Sequence, residues 1–292
     1  MNWNAIPEPA RATDEDVLRN LFAAGWFADS GWDSVKELTL GSDATRRAVE
    51  GYRVFHGLEG SGVDDDLVTQ LMRPRCALPD LIRSEEAGLA QWDRRLASVN
   101  CAQDVASLNP LASDVERNLY VQALTEWNKV CGIKLRLVGA YGSANINSGV
   151  GPTSGGVLAY SYLPGVNAGA GTKLSQVYGR SINWSPHLLL QVFIHEVGHA
   201  IGLDHGPSGS LMQPTASGSI LKPQAWDIAQ VYARYGNPEA GSDPSPIPGA
   251  PPPVPPTPPI VPGEPTETVL EVVGTLGAGR YRIVRDNSFW GA

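Results

Sequence analysis

Between about positions 13 and 72 the apolar residues recur three and four apart, the spacing of one helix face. Thr13 can cap a run from Asp14 to Phe22, which carries acids in its first turn, and Gly25 would end it. A second run from Asp43 to His56 sets Ala48, Val49, Tyr52 and Phe55 on one face. Gly57 to Gly62 reads as a turn, and a third short helix follows from Asp64 to Met72. The pattern predicts a small three-helix bundle.

Downstream the period changes. Arg95 to Cys101 reads as a strand, and Asp114 to Val130 as a long helix with Leu119, Val121, Leu124 and Trp127 as its apolar positions. Gly132 to Val138 alternates and reads as a half-buried strand. Strand, helix, strand in that order predicts a parallel pair. Ser185 then caps a helix with Pro186 at its first position, and Leu188, Leu189, Val192 and Ile201 form its core face. Lys222 to Tyr235 is the last helix, and Gly236 closes the region. These elements predict an α+β chain in four parts: 1–82, 83–236, 237–267 and 268–292. Residues 237–267 hold proline runs and read as an extended polyproline spacer. Residues 268–292 read as two strands round Gly277-Ala278-Gly279, too few to fold alone, and so either the start of a truncated accessory domain or a hairpin packed on the body.

Composition narrows the function. A formal charge of −8 argues against nucleic acid or an anionic membrane surface as the main partner. No apolar run is long enough to span a bilayer. Met1 to Pro7 has neither the basic nor the apolar part of a signal peptide, which leaves the export route open. The three cysteines are Cys76, Cys101 and Cys131. In an oxidising compartment Cys101, ending one strand, and Cys131, opening the next, are the natural pair. Two reduced core cysteines are the alternative.

The candidate chemistry lies in Phe193 to His205, which reads H-E-x-x-H-x-x-G-x-x-H. His195 and His199 are four apart, so on a helix they share a face and can reach one metal ion. Gly202 lets the chain turn out of the helix and return His205 as a third nitrogen ligand. Three histidines leave a tetrahedral position open, the pattern of a catalytic rather than a structural zinc. Glu196 is placed for general acid–base work on a water at that position. Met212 follows seven residues on. The competing reading, an amphipathic helix with hydrogen-bonded core histidines, does not explain the third histidine. His56 has no second ligand at metal spacing and reads as a packing or surface residue, and His187 reads as surface.

These motifs resemble those of the metzincin zinc endopeptidases, and most closely those of the matrixins, or matrix metalloproteinases. Ser210-Leu211-Met212-Gln213-Pro214 is similar to the family's methionine turn, and the resemblance implies that Asp227 bonds its backbone. Pro74-Arg75-Cys76-Ala77-Leu78-Pro79-Asp80 resembles the family's cysteine switch. There Cys76 would ligate the zinc of a latent form, and Arg75 and Asp80 would pair to shape the loop. Ala77 stands where the family has glycine, and a positive φ there would be strained by its Cβ. The N-terminal bundle resembles a peptidoglycan-binding-like propeptide. The resemblance implies a twisted, mixed five-stranded sheet with three helices. It also implies an edge strand whose Ala159 offers backbone bonds to substrate, and a pocket wall at Pro214, Thr215 and Ala216. Trp92 aligns with the family tryptophan that opens the catalytic domain, and activating cleavage is expected at about 81–91. Tyr160 replaces a family histidine and the upstream H-x-D ligands are missing, so one catalytic zinc and no structural zinc is expected. Gly149, Arg180 and Asn183 match the calcium ligands poorly, and calcium is left open. The expectation is a monomeric, latent zinc endopeptidase, secreted or at the cell surface. Protein or peptide substrates and an activating protease would be its partners. A cell-wall-binding protein anchored by the N-terminal bundle is the alternative.

Overall fold

The computed structural model describes residues 12–27, 31–80, 90–104, 108, 111, 113–139, 141–153, 156–238, 268–270 and 283–285. The chain divides into two compact units, Met1–Val254 and Pro255–Ala292. The expected cleavage stretch (apart from Ala90 and Gln91), nearly all of the proline-rich spacer and the Gly277–Gly279 turn lie outside the described residues. No helix among the described residues is long and apolar enough to cross a membrane.

The first unit begins with helices whose ends are written locally. Helix α1 (Asp14–Ala23) starts at a capping box in which Thr13 and Asp16 satisfy each other's backbone amides. Helix α2 (Trp32–Val35) is a single turn that periodicity cannot register, so the bundle has four helices among the described residues rather than three. Helix α3 (Asp43–His56) is capped by Ser42, which accepts from the Thr45 amide. It ends at Gly57 in the left-handed conformation, φ 65°. Helix α4 (Asp65–Leu71) starts at Asp64, which accepts from the Leu67 amide. Val17, Leu18, Leu21, Tyr52, Leu67 and Leu71 form the core that all of this encloses.

A two-residue strand, β1 (Arg75–Cys76), then enters the main sheet. The other strands are β2 (Val99–Gln103), β3 (Leu135–Leu137), β4 (Ile146–Gly151), β5 (Val157–Ser161) and β6 (Leu174–Gly179), in spatial order β1-β5-β6-β4-β2-β3. Strand β5 is antiparallel to β6, and the other pairs are parallel, including β1 on β5. Residues 92–236 thus supply five strands of a mixed sheet, and the N-terminal segment adds a sixth at the edge. Helices α5 (Ser113–Asn128), α6 (Pro186–Ala200) and α7 (Ala225–Tyr235) complete the three expected. The Trp127 indole of α5 donates to the Ile194 carbonyl of α6 over 2.7 Å, locking the two together.

Three expectations need correction. Strand β2 starts at Val99 rather than Arg95, because Asp93 draws the Arg95 and Leu96 amides back into a turn. On α5 the buried face runs through Glu116, Tyr120, Ala123, Leu124 and Trp127, while Val121 is 42% exposed. Tyr120 faces inward because its hydroxyl has buried partners in Ser148 and Gln176. Cys101 lies inside β2 and Cys131 follows α5, and both are free, buried thiols. Burial pushes each thiol up to about 12.

In the second unit β7 (Thr268–Leu270) and β8 (Ile283–Arg285) pair antiparallel.

Candidate metal centre

Helix α6 carries the first two histidines because its N-terminus is well anchored. Ser185 caps it, accepting from the Leu188 amide, and Pro186 opens it. From Leu189 to Ala200 every residue is buried. His195 and His199 lie one turn apart with ring centroids separated by 4.7 Å. At Gly202 φ is 96°, and a Cβ there would lie 2.0 Å from the Ala90 carbonyl oxygen. Only glycine fits both the turn and the contact. The chain then brings the His205 ring centroid within 5.4 Å of His195 and 4.9 Å of His199.

Each imidazole is oriented through Nδ1 by a backbone carbonyl: His195 by Leu211 at 3.0 Å, His199 by Leu203 at 2.7 Å and His205 by Pro79 at 3.1 Å. A carbonyl only accepts, so Nδ1 carries the proton and Nε2 keeps its lone pair. The Nε2 atoms of His195 and His199 are 3.0 Å apart, and His205 Nε2 has no hydrogen-bond partner among the described residues. Cys76 Sγ lies 3.6 Å from His199 Nε2. All four candidate ligand atoms fall within 4.8 Å of one another. Burial holds the three imidazoles neutral, drawing His195 down to about 4 and the other two well below their ordinary value. Buried lone pairs with no proton between them and one sulfur beside them fit a soft divalent cation such as zinc.

Glu196 is fully buried, and among the described residues neither of its carboxylate oxygens has a hydrogen-bond partner. Burial pushes its carboxyl up to about 8. The Cys76 thiol is pushed well above its ordinary value, by burial and then by the Glu196 charge.

Beneath the cage, Met212 is fully buried, and α7 fixes its turn. The Asp227 carboxylate accepts from the amides of Leu211 at 2.8 Å, Met212 at 3.1 Å and Gln224 at 2.7 Å. Leu211 therefore links Asp227 to His195, through its amide on one side and its carbonyl on the other. Gly198 admits the methionine, since a Cβ there would lie 2.4 Å from Met212 Sδ.

Strand β1 fills the cleft between β5 and the segment after Met212. Arg75 and Ala77 amides donate to the Gly156 and Ala159 carbonyls at 3.0 Å each, and the Cys76 amide donates to the Pro214 carbonyl at 2.9 Å. Ala159 thus makes with the chain's own N-terminal strap the backbone contact expected for substrate, and Pro214, expected in the pocket wall, bonds the same strap. Beside Glu196 a small cavity opens between Leu158, Val192, Pro214 and Ala216. Arg75 pairs with Asp80 and also donates to the Leu78 carbonyl. Ala77 carries no strain, because Asn167 is the one non-glycine with positive φ among the described residues. Burial would raise Asp80, yet the His56 hydrogen bond and the Arg75 charge outweigh it and hold the carboxyl below its usual range.

His187 is exposed, as expected. His56 is buried against Asp80, a partner 24 residues away that no local signal marks. Trp26, Gln70 and Gln191 carry no local signal for the same reason, and Thr215, expected in the pocket wall, also meets the Gln70 amide at 3.3 Å. The Gln191 amide oxygen, buried on α6, accepts from the Ser217 and Gly218 amides at 3.3 and 2.6 Å.

The profile of the matrixin family matches residues 92–236. The chain is 28% identical to human matrix metalloproteinase-17 over 267 residues, covering 78% of this chain and 42% of the relative. It is 28% identical to rabbit (Oryctolagus cuniculus) macrophage metalloelastase over 222 residues, covering 70% and 46%. With human matrix metalloproteinase-20 it shares 26% over 230 residues, covering 72% and 46%. Shares of this size extend beyond 92–236, so the likeness includes sequence outside the profile match. The chain spans less than half the length of these relatives.

Proposed function

We propose, since residues 92–236 of this chain belong to the matrixin family, that the protein is a zinc-dependent endopeptidase made in latent form, with Cys76 excluding water from the metal until the N-terminal segment is cut away. The observation that carries this reading is the convergence of His195, His199, His205 and Cys76 ligand atoms within 4.8 Å. Bound there, zinc would supply Lewis acidity toward a peptide carbonyl and toward water.

The chain's own residues do the rest. Glu196 has two carboxylate oxygens beside the cage with no partner among the described residues, suited to take a proton from the attacking water and hand it to the leaving amine. The edge of β5 offers the Ala159 carbonyl to a substrate strand once β1 has left. Leu158, Val192, Pro214 and Ala216 exclude water from the side chain that follows the scissile bond. Activating cleavage falls before Ala90, because Gln91, Asp93 and Ala168 exchange backbone hydrogen bonds that tie this segment to the body. Protein or peptide substrates and an activating protease are the partners, met outside the cell.

The test is zinc content and peptide hydrolysis in the full chain beside Cys76→Ala and Glu196→Ala. The expected result is about one zinc in each, hydrolysis by Cys76→Ala well above the parent, and none by Glu196→Ala even after cleavage. Absence of zinc, or equal hydrolysis by Glu196→Ala, would overturn the reading.

A further inference from the structure

Asp80 is 4% exposed, and its surroundings are polar on every side. One carboxylate oxygen pairs with Arg75 and lies 3.7 Å from His205 Nδ1. The other accepts from the Trp26 indole at 2.9 Å and faces His56 Nε2 at 3.2 Å. Its amide donates to the Ala24 carbonyl at 2.9 Å. Arg75 comes from the strap itself, whereas Trp26, His56 and Ala24 belong to the helical bundle. The bundle therefore grips the strap at the residue directly behind the third histidine.

His56 continues the connection. It is 5% exposed, with its ring 4.1 Å from that of Tyr52 and 5.1 Å from that of Phe55. The Gln70 amide nitrogen lies 3.2 Å from His56 Nδ1 and 3.3 Å from Thr215 Oγ1. A carboxylate only accepts, so His56 Nε2–H donates to Asp80, and Nδ1 accepts from Gln70. The second amide hydrogen of Gln70 goes to Thr215. Asp80, His56, Gln70 and Thr215 thus form one unbroken buried chain. It runs from the strap, through α3 and α4, to the wall of the cleft.

We propose that His56 is a positioning residue of latency: held between Gln70 and Asp80, it fixes the Asp80 carboxylate and so keeps Cys76 seated, which makes the helical bundle part of the lock. The proposal rests on the latent-protease reading of the same site. The Arg75–Asp80 pair shapes the strap from within, but it does not tie the strap to the body. Removing His56 leaves Asp80 and Gln70 with unmet buried groups, so the strap opens more often.

The test is the rate at which an aromatic disulfide reagent labels Cys76 in the full chain, both metal-free and zinc-loaded. His56→Phe keeps a ring among Tyr52 and Phe55 but loses both hydrogen bonds. It is expected to label about tenfold faster than the parent, with buried Cys101 and Cys131 unreacted. His56→Gln can donate to Asp80 and accept from Gln70, and should restore a rate near the parent's. Labelling of His56→Phe at the parent rate, or of His56→Gln as fast as His56→Phe, would overturn the proposal. If Cys101 and Cys131 react alongside Cys76, His56→Phe has lost its fold, and Gln70→Met decides by the same comparison: faster Cys76 labelling supports the lock, and the parent rate overturns it. Should Cys76→Ala fail to raise hydrolysis, the latent-protease reading falls separately, while the labelling rates still decide the lock.

Discussion

The Pro79 carbonyl oxygen lies 3.1 Å from Nδ1 of His205. His195 and His199 take their orienting carbonyls from Leu211 and Leu203, inside the same domain. Of the three histidines, His205 alone borrows its partner from the N-terminal segment. Outer partners of this kind typically change metal affinity by roughly 10–100-fold. Cleavage should therefore weaken zinc binding beyond the loss of the thiol. In a Cys76→Ala background, where the thiol is absent throughout, the intact chain is expected to hold zinc about tenfold more tightly than the cleaved protein. Chelator competition measures this, and equal affinities would show that water replaces Pro79 without loss.

Asp227 satisfies two buried backbone amides, those of Leu211 and Met212, and the half-buried amide of Gln224. Each amide left unmet costs about 1–3 kcal/mol. Asp227→Ala should lower unfolding stability by roughly 3 kcal/mol or more, read from the urea midpoint. Because the Leu211 carbonyl also orients His195, zinc affinity should fall with it. A stability loss under about 1 kcal/mol would mean that water or a shifted turn takes over the three bonds.

Much of this was legible because the signals are local. Thr13, Ser42 and Ser185 cap helices within a few residues of themselves, and α3 spans the stretch its periodicity indicates. The three histidines and Met212 sit on one helix and the turns after it, so spacing alone brings them together. What stayed hidden depends on partners far along the chain. Tyr120 and Glu116 are polar in composition yet buried, one against Ser148 and Gln176, the other against the Leu108 amide. Val121 reads as core and is not, because the face is chosen by those distant bonds. Strand β1 exists only by virtue of Gly156, Ala159 and Pro214. His56 is a packing histidine by every local criterion, and Asp80 gives it a role.

Gly198 stands where helix α6 crosses the turn that holds Met212. A Cβ there would lie 2.4 Å from Met212 Sδ and 3.0 Å from Trp127 Cζ2. The methionine can shift, but the site is fully buried and closely packed. Gly198→Ala should cost about 1–3 kcal/mol through overpacking, set against a small gain in helix propensity. In a Met212→Ala background, where the sulfur is already cleared, adding Gly198→Ala should cost little further. A single variant as stable as the parent would mean that the turn has slack which the packing does not suggest.

Gln191 points its amide oxygen at the Ser217 and Gly218 amides from within α6. Its neighbour Val192 lines the cavity beside Glu196, and Ala216 closes the opposite side. The Gln191 side chain is 1% exposed, so Gln191→Leu removes the acceptor that ties the Ser217 and Gly218 amides to α6. The loop after Pro214 should then move away from α6 and widen the pocket. Selectivity for the residue after the scissile bond is expected to broaden, with KM rising for the parent's best peptide and kcat changing less. The metal cage is untouched by this change, so zinc content should stay at the parent level. Profiling the Cys76→Ala and Cys76→Ala/Gln191→Leu proteins on a peptide library checks this. An unchanged profile would mean that Pro214 and Ala216 hold the wall without help from Gln191.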